Sequence, residues 1–257
     1  MTEESSIPEN DYWSEARRPL SCLTFLIPWI LVYEAGVLFV AGTDADAVRN
    51  GADFWLRSLL SGFGLQSVLL PGLVAGVLLV WHVSQKYPWN VRLETIAGMF
   101  AESLILAIAL VVFGQLHDFF FRQITPAATD TAMITNSISP AMTRAVSFIG
   151  AGVYEEVMFR LLMVPAAMVV FRMFEFPWKW AAVMAAVSTS FLFALAHHVG
   201  PTADAFNLFT FSFRAAAGLF FATIFLLRGI GITVGCHAAY DLLVGVLLTT
   251  PSTEYPS

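Results

Sequence analysis

Three clusters of ionisable residues lie within apolar stretches of the sequence that are long enough to cross a bilayer. The clusters contain Glu155, Glu156 and Arg160 in VYEEVMFRLL, His197 in FALAHH, and His237 and Asp241 in HAAYD. An ionisable side chain at mid-bilayer costs at least about 2.5 kcal/mol, so it is normally paired and marks a functional site. A carboxylate in a pocket of low dielectric, with a histidine nearby, can activate water for attack on a carbonyl. The clusters therefore predict a general base and its helpers.

Helical spacing divides the roles within the first cluster. Glu156 and Arg160 are four residues apart, so they lie on one helix face and can neutralise each other. Glu155 is rotated by about 100° from Glu156 and has no such partner. We therefore expect Glu156 and Arg160 to form an ion pair that fixes the helix, and Glu155 to be the carboxylate available for chemistry. The alternative is that all three residues only hold helices together.

The histidine clusters supply candidates for the other parts of such a site. His197 and His198 are adjacent, so their side chains point in different directions, and at most one is expected to share a site with Glu155. The four-residue spacing of HAAYD places Asp241 on the same helix face as His237, where a carboxylate can fix the tautomer and orientation of the ring. A second histidine can also donate a hydrogen bond to a developing oxyanion.

The composition indicates a polytopic membrane protein. Of the 257 residues, 58% are hydrophobic and 12% are charged, whereas an ordinary soluble domain has about 25% charged residues. The net charge of −6 arises largely from acidic residues before the first apolar stretch, and these residues, including Glu15, are expected to be solvated. Because the sequence has no basic face, it excludes nucleic acid as a partner. The lipid bilayer is the expected environment.

Seven apolar stretches approach the roughly 20 residues that cross the hydrocarbon as a helix. They lie near 20–42, 64–83, 95–115, 143–170, 178–200, 206–227 and 230–250. The segment from Phe54 to Leu65 is too short to span, and we expect an interfacial helix there, anchored by Trp55. The predicted fold class is all-α, a polytopic transmembrane helix bundle of seven to eight helices with an intramembrane polar cavity.

One transmembrane helical domain is expected at 20–250, with the motif-bearing core at about 143–250. A polar leader at 1–19 precedes it, and a short tail at 251–257 follows it. The connection from Asp118 to Pro140 is expected to be a loop or lid. Lys and Arg residues favour a cytoplasmic N-terminus by seven to four, with Arg228 counted in a cytoplasmic loop, since cytoplasmic loops carry the excess of positive charge. The expected location is the bacterial inner (cytoplasmic) membrane.

Two expectations concern how the spans place their charged residues. Glu34, Glu102 and Arg214 are expected to form pairs in the bundle interior. At about 1.5 Å per residue from the cytoplasmic span ends, Glu155 lies at a depth of about 22 Å, His197 at about 28 Å and His237 at about 10 Å. Straight perpendicular helices would keep these three apart, so the site requires tilted helices, different span ends, or a break near Gly229 and Gly231.

The three clusters together resemble a known set of motifs. EEVMFR matches E-E-x-x-x-R, FALAH matches F-x-x-x-H, and HAAYD matches H-x-x-x-(N/D). In this order, on separate predicted spans, they are similar to the motifs of the CPBP family, the CAAX protease and bacteriocin-processing membrane proteins also called Abi proteins. The motifs cover roughly residues 150–245, so the first three spans and the leader lie outside the resemblance.

The resemblance implies an intramembrane endopeptidase that hydrolyses a peptide bond. Glu155 would activate the water, His197 would assist, and His237 and Asp241 would complete the site and stabilise the oxyanion. Asp241 stands where many family members have asparagine, and a charged partner would favour a protonated His237. The implied partner is a peptide or membrane-protein substrate, which is prenylated in the eukaryotic CAAX-processing members.

The resemblance also implies supporting roles. Phe193 would pack against His197, and Glu156 and Arg160 would support the helix that carries the catalytic glutamate. The expectation is that no cofactor is needed, but zinc stays an alternative, since Glu155, His197 and His237 would supply two histidines and an acid. We favour the metal-free reaction, because using Glu155 as a ligand would remove the base.

Two functions of other classes use the same residues differently. In a proton-coupled membrane transporter, the buried glutamate and histidines would form a proton relay, although the sequence shows no repeated halves of the kind many transporters have. In a non-catalytic immunity or scaffold protein, they would only maintain the fold.

Overall fold

The computed structural model describes residues 11–41, 49–64, 70–124, 141–200 and 203–248. Every regular element in these ranges is helical, which confirms the predicted all-α fold class. The first five helices are α1 (Tyr12–Glu15), α2 (Pro19–Ala41), α3 (Gly51–Gly62), α4 (Leu70–Ser84) and α5 (Leu93–Ile124). The others are α6 (Ala141–Glu156), α7 (Val164–Met173), α8 (Trp178–Ala196), α9 (Leu208–Arg228) and α10 (Ile230–Leu242). Two π-helical segments follow α6 and α10, at Val157–Met163 and Leu243–Leu247.

The long helices correspond to the seven predicted spans. Five helical segments in the described ranges are long and apolar enough to cross a membrane, namely Pro19–Val40, Leu93–Ile124, Trp178–Ala196, Leu208–Arg228 and Ile230–Leu247. The sixth, α4, is apolar and has 15 residues. The seventh consists of α6, its π-helical segment and α7, which follow one another without a gap. The chain is an integral membrane protein.

The boundaries of some predicted segments differ from the structure. The predicted start of the second span, the predicted end of the last span, and most of the leader and tail lie outside the described residues. The predicted loop from Asp118 is wrong at its beginning, because α5 continues to Ile124. Arg122 Nε donates to both carboxylate oxygens of Asp118 at 2.9 Å, a pair at helical spacing that favours continuation of the helix. Residues 125–140 of that connection also lie outside the described ranges.

The predicted interfacial segment is helix α3, which begins three residues earlier than expected. Asn50 precedes the helix, and its side-chain oxygen accepts a hydrogen bond from Ala52 N at 2.8 Å. Such a cap satisfies one of the free N–H groups at a helix start. Trp55, the predicted anchor, is 38% exposed and lines a cavity beside the candidate site.

The expectation that Glu15 is solvated is wrong. Its side chain is 1% exposed, and its two oxygens accept hydrogen bonds of 2.9 Å from Arg92 N and 2.6 Å from Arg92 Nε. Burial raises the pKa of Glu15, but the hydrogen bonds from Arg92 outweigh burial and hold the pKa below its usual value. The short helix α1 is therefore part of the packed bundle.

Arg228, counted from the sequence as a loop cation, is buried at the turn between α9 and α10. Its guanidinium donates to the two oxygens of Glu102 at 2.6 and 2.8 Å, and it lies 4.0 Å from the ring centroid of Trp13. The expected interior pair of Glu102 is therefore confirmed. Because Arg228 is neutralised inside the bundle, it does not contribute to the charge bias of the loops, and the cytoplasmic N-terminus stays a prediction.

The other two expected interior charges differ from each other. Glu34 accepts hydrogen bonds of 2.7 Å from the Tyr154 hydroxyl and 3.3 Å from Arg57 Nη2, so its pairing within the bundle is confirmed. Arg214 bonds to Asp204 at 2.6 Å, but the Asp204 side chain is 57% exposed. The expectation of an interior pair is therefore wrong for Arg214, because its partner lies in the surface segment before α9.

Helix α10 lies at the centre of the bundle, packed against α2, α5, α6 and α9. It approaches α6 closely at Gly152, where a methyl group would lie 2.7 Å from the backbone nitrogen of Ala238. A side chain at Gly152 would force the helices apart, since real Cβ contacts are essentially never shorter than 3.0 Å. This contact sets the register in which Glu156, one turn after Gly152, faces His237.

Candidate active site

The two glutamates lie at the end of α6, where the helix changes to π geometry. Glu156 is the last residue of α6, and the π-helical segment Val157–Met163 follows it directly. Such segments are rare and occur frequently at functional sites. Arg160 lies within the widened segment, and its Nε is 3.1 Å from Glu156 Oε2. The ion pair expected from the spacing is therefore present.

His237 is surrounded by three carboxylates. Its Nδ1 is 2.6 Å from Glu156 Oε1, and its Nε2 is 3.4 Å from Asp241 Oδ2 and 3.9 Å from Glu155 Oε2. The predicted contact with Asp241 is present, but the shorter one is to Glu156, which the spacing had paired with Arg160 alone. An ionised carboxylate only accepts hydrogen bonds, so Nδ1 carries a proton and donates it to Glu156.

The histidine and the buried arginine share one aromatic enclosure. The His237 ring stacks on Phe221 with a centroid distance of 4.4 Å and an interplanar angle of 16°. The Arg160 guanidinium lies 4.6 Å from the Phe193 ring centroid and 5.4 Å from that of Phe221, and its Nη2 donates to the Gly218 carbonyl at 3.0 Å. Glu156 therefore contacts both the Arg160 guanidinium and the His237 ring, and both of these groups are buried.

The separation that straight perpendicular helices would give does not occur, because His237 Nε2 lies 3.9 Å from Glu155 Oε2. Gly229 is the single residue between α9 and α10, and its φ of 85° allows a tight reversal that favours glycine. The turn is covered by α1, as the contact between Arg228 and Trp13 shows.

His197 directly follows the end of α8. Its Nδ1 is 2.8 Å from the Phe193 carbonyl oxygen, and its ring meets the Phe193 ring edge to face with a centroid distance of 4.9 Å. A carbonyl only accepts, so Nδ1 donates and the neutral ring has its lone pair on Nε2. His198 makes a different contact, from Nδ1 to the Asp204 carbonyl oxygen at 3.0 Å, which agrees with the expectation that adjacent histidines diverge.

A cavity of about 340 Å³ lies beside these residues, within the range of about 300–1,000 Å³ usual for ligand pockets. Glu155 and His197 both line it, together with Arg49, Asn50 and Trp55 from the start of α3. His237 and Asp241 are not among its lining residues. The structure therefore brings Glu155 and His197 to one cavity, whereas the His237 ring contacts Glu155 from outside the cavity lining.

The comparison with family models agrees with the motif resemblance. Residues 137–243 match the family described as type II CAAX prenyl endopeptidase Rce1-like. This part of the chain is similar to the Rce1-like family. The match includes all three clusters and supports a protease in a membrane setting. No curated protein and no solved structure matches the chain significantly.

The matched region, residues 137–243, contacts residues that the sequence alone did not indicate. Asn50 Nδ2 donates to Glu155 Oε1 at 3.2 Å, so Glu155 is not without a partner as its spacing implied. An asparagine before an amphipathic segment is a recognisable signal for the start of a helix. The contact of Asn50 with Glu155, 105 positions away, has no signal in the local sequence. The preceding Arg49 is held by the fully buried Asp53 at 2.6 Å.

The same region does not form the three-ligand set of the zinc alternative. In the described ranges, no group of three His, Cys, Asp or Glu side chains is arranged to hold a metal ion. His237 contacts Glu156 through Nδ1 and faces two carboxylates, Glu155 and Asp241, through Nε2. The donors of the described residues, as they stand, do not fit a catalytic metal.

Proposed function

We propose that the protein is an intramembrane endopeptidase in which Glu155 activates a water molecule for attack on a peptide carbonyl. The observation that carries the proposal is the placement of Glu155, which lines a cavity with His197 while its two oxygens face Asn50 and His237. A general base must be held in a fixed orientation within reach of its substrate proton. Contacts on both oxygens provide that orientation.

The reaction needs one proton to move twice. Glu155 takes a proton from water as the water oxygen bonds to the carbonyl carbon, which leaves a negative charge on the carbonyl oxygen. When the C–N bond breaks, the protonated Glu155 gives its proton to the amine that leaves. The free Nε2 of His197 accepts the second hydrogen of the water and holds the water in the attacking position. The products are a carboxylic acid and an amine.

The roles of His237 and Asp241 follow from their position on the far side of Glu155. The resemblance implies that they stabilise the oxyanion, but neither lines the cavity, and an ionised Asp241 has no proton to donate. We propose that His237 is protonated, since it faces three carboxylates and Arg160 balances the charge of only one of them. The charged ring then fixes the orientation of the Glu155 carboxylate. The oxyanion then receives hydrogen bonds from the donors that do line the cavity, Asn50 and Arg49.

Replacing Asn50 with aspartate is expected to lower kcat/KM by about tenfold on the acidic limb of its pH profile. Aspartate caps a helix as well as asparagine, so α3 is retained. The new carboxylate lies against Glu155. Two like charges at that distance raise the pKa of one of the carboxylates by at least about one unit, which is a tenfold change in its protonation equilibrium. The acidic limb of the kcat/KM profile is therefore expected to move to higher pH, as measured by peptide cleavage from pH 5 to 9.

Asn207→Asp is the matched control for that variant. Asn207 caps α9 in the same way, with its side-chain oxygen accepting from Phe209 N at 2.8 Å, but it does not line the cavity. Its substitution is expected to leave the pH profile unchanged. An Asn50→Asp enzyme with the wild-type profile would contradict the contact between Asn50 and the base.

The proposed function is tested with purified protein in detergent and a panel of fluorogenic peptides. The family description makes a prenylated CAAX peptide the first substrate to include, beside its non-prenylated form. Cleavage is expected from the wild-type protein and not from Glu155→Ala, and incubation with excess chelator is expected to leave the rate unchanged. Cleavage that chelator abolishes and zinc restores would overturn the metal-free mechanism, whereas cleavage by Glu155→Ala would overturn the role of Glu155.

A further inference from the structure

A second cavity lies at the end of the bundle opposite the candidate active site. It has a volume of about 1360 Å³ and includes Trp178 and Lys179 at the start of α8. His197 follows the other end of the same 19-residue helix, and at about 1.5 Å per residue the two sites are roughly 28 Å apart. The cavity therefore has no part in the chemistry proposed for Glu155.

Four cationic side chains line this cavity, Arg17, Arg18, Arg172 and Lys179, and no Asp or Glu is among its lining residues. Arg172 Nη1 donates to the Phe176 carbonyl oxygen at 2.7 Å, and Arg17 Nη2 lies 3.5 Å from the Leu226 carbonyl oxygen. These contacts are with neutral groups. In the described ranges, no carboxylate lies within 4.0 Å of Arg17, Arg172 or Lys179.

The remaining walls of the cavity suit a lipid. Trp81, Tyr87 and Trp178 line it and are 40%, 37% and 66% exposed, and exposed aromatic rings of this kind lie at the level of lipid headgroups. Val169 and Met173 of α7 also line it and are 60% and 77% exposed. The described walls of the cavity therefore combine cationic side chains with an apolar helix surface that would face the acyl chains.

We propose that this cavity binds the headgroup of an anionic phospholipid. Arg17, Arg172 and Lys179 contact the phosphate, and the upper part of an acyl chain lies along Val169 and Met173. Basic pockets between helices at the membrane surface recognise anionic headgroups by this combination of charge and apolar area. A soluble phosphate has the charge but not the chain, so the apolar wall distinguishes a lipid from a free anion. The proposal does not depend on the proposed protease function.

The test is the thermal stability of delipidated, detergent-purified protein titrated with dioleoylphosphatidylglycerol. The lipid is expected to raise the melting temperature saturably, whereas dioleoylphosphatidylcholine and glycerol 1-phosphate at equal concentrations are not. Each cation near a membrane surface contributes about fivefold in affinity, so Arg172→Gln/Lys179→Gln is expected to weaken the apparent affinity by about 30-fold. Arg172→Lys, which keeps the charge, is expected to bind as the wild type does.

The matched control is Arg122→Gln/Lys86→Gln, which removes one arginine and one lysine outside the cavity. Its apparent affinity is expected to stay within about twofold of the wild type, because neither residue lines the site. Equal stabilisation by phosphatidylcholine would overturn the role of charge, and equal stabilisation by glycerol 1-phosphate would overturn the choice of a lipid. Wild-type affinity in the Arg172→Gln/Lys179→Gln variant would overturn the site itself.

Discussion

Glu155→Gln is expected to lower kcat/KM for peptide cleavage by about 10²- to 10⁴-fold, the usual contribution of a general base. Glutamine has the size and hydrogen-bonding reach of glutamate but cannot take a proton from water. The fold is expected to be retained, because the Glu155 side chain is 12% exposed and is not the partner of the buried Arg160. The measurements are initial rates on a fluorogenic peptide and the melting temperature of the same preparation.

The adjacent Glu156 provides the sharpest comparison for that variant. The Glu156 carboxylate lies 3.1 Å from Arg160 Nε and 2.6 Å from His237 Nδ1, and both partners are buried. Because Glu156→Gln removes the negative charge between them, it is expected to lower the melting temperature as well as the rate. Glu94→Gln, at an exposed position in the first turn of α5, is expected to change neither. Wild-type cleavage by Glu155→Gln would contradict the assignment of the base.

The helices could be predicted from the sequence because the bilayer imposes their length. Each predicted span corresponds to a helix or a continuous run of helical segments, and apart from the end of α5 the boundaries agree to within a few residues where they are described. The prediction failed where an ion pair or cap decides the boundary, as with Arg122 and Asp118 at the end of α5 and Asn50 at the start of α3. Hydropathy does not record such contacts.

The partners within the site were predicted only where they lie on one helix. Glu156 with Arg160, and His237 with Asp241, are four residues apart and meet as the helical repeat requires. The hydrogen bond between Glu156 and His237 joins α6 to α10, and it depends on the close approach of Gly152 to Ala238. A contact between helices depends on their register, which spacing along one helix does not determine.

The buried charges outside the motifs show the same limit. Glu15 and Arg228 were assigned to water because they lie beside the apolar stretches, yet both are buried in pairs with Arg92 and Glu102. Hydropathy places a residue relative to a span, but not relative to the other helices.

Arg160→Met is expected to destabilise the folded protein by about 3–5 kcal/mol, the usual cost of removing one partner of a buried ion pair. Arg160 is 1% exposed and Glu156 is fully buried, so water cannot replace the lost guanidinium. Methionine fills much of the space among Phe193 and Phe221, so the loss measures charge rather than volume. The measurement is the free energy of unfolding in mixed detergent.

The double variant Arg160→Met/Glu156→Gln separates the charge from the rest of the pair. With glutamine at 156 no uncompensated carboxylate is buried, so the double variant is expected to be more stable than Arg160→Met alone. Arg122→Met is the matched control, because its pair with Asp118 is 49% and 36% exposed and exposed pairs contribute at most about 1 kcal/mol. Equal stabilities of Arg160→Met and Arg122→Met would show that Glu156 keeps its charge balanced through His237 alone. In that case Arg160 would not be the group that allows the Glu156 carboxylate to be buried next to Glu155.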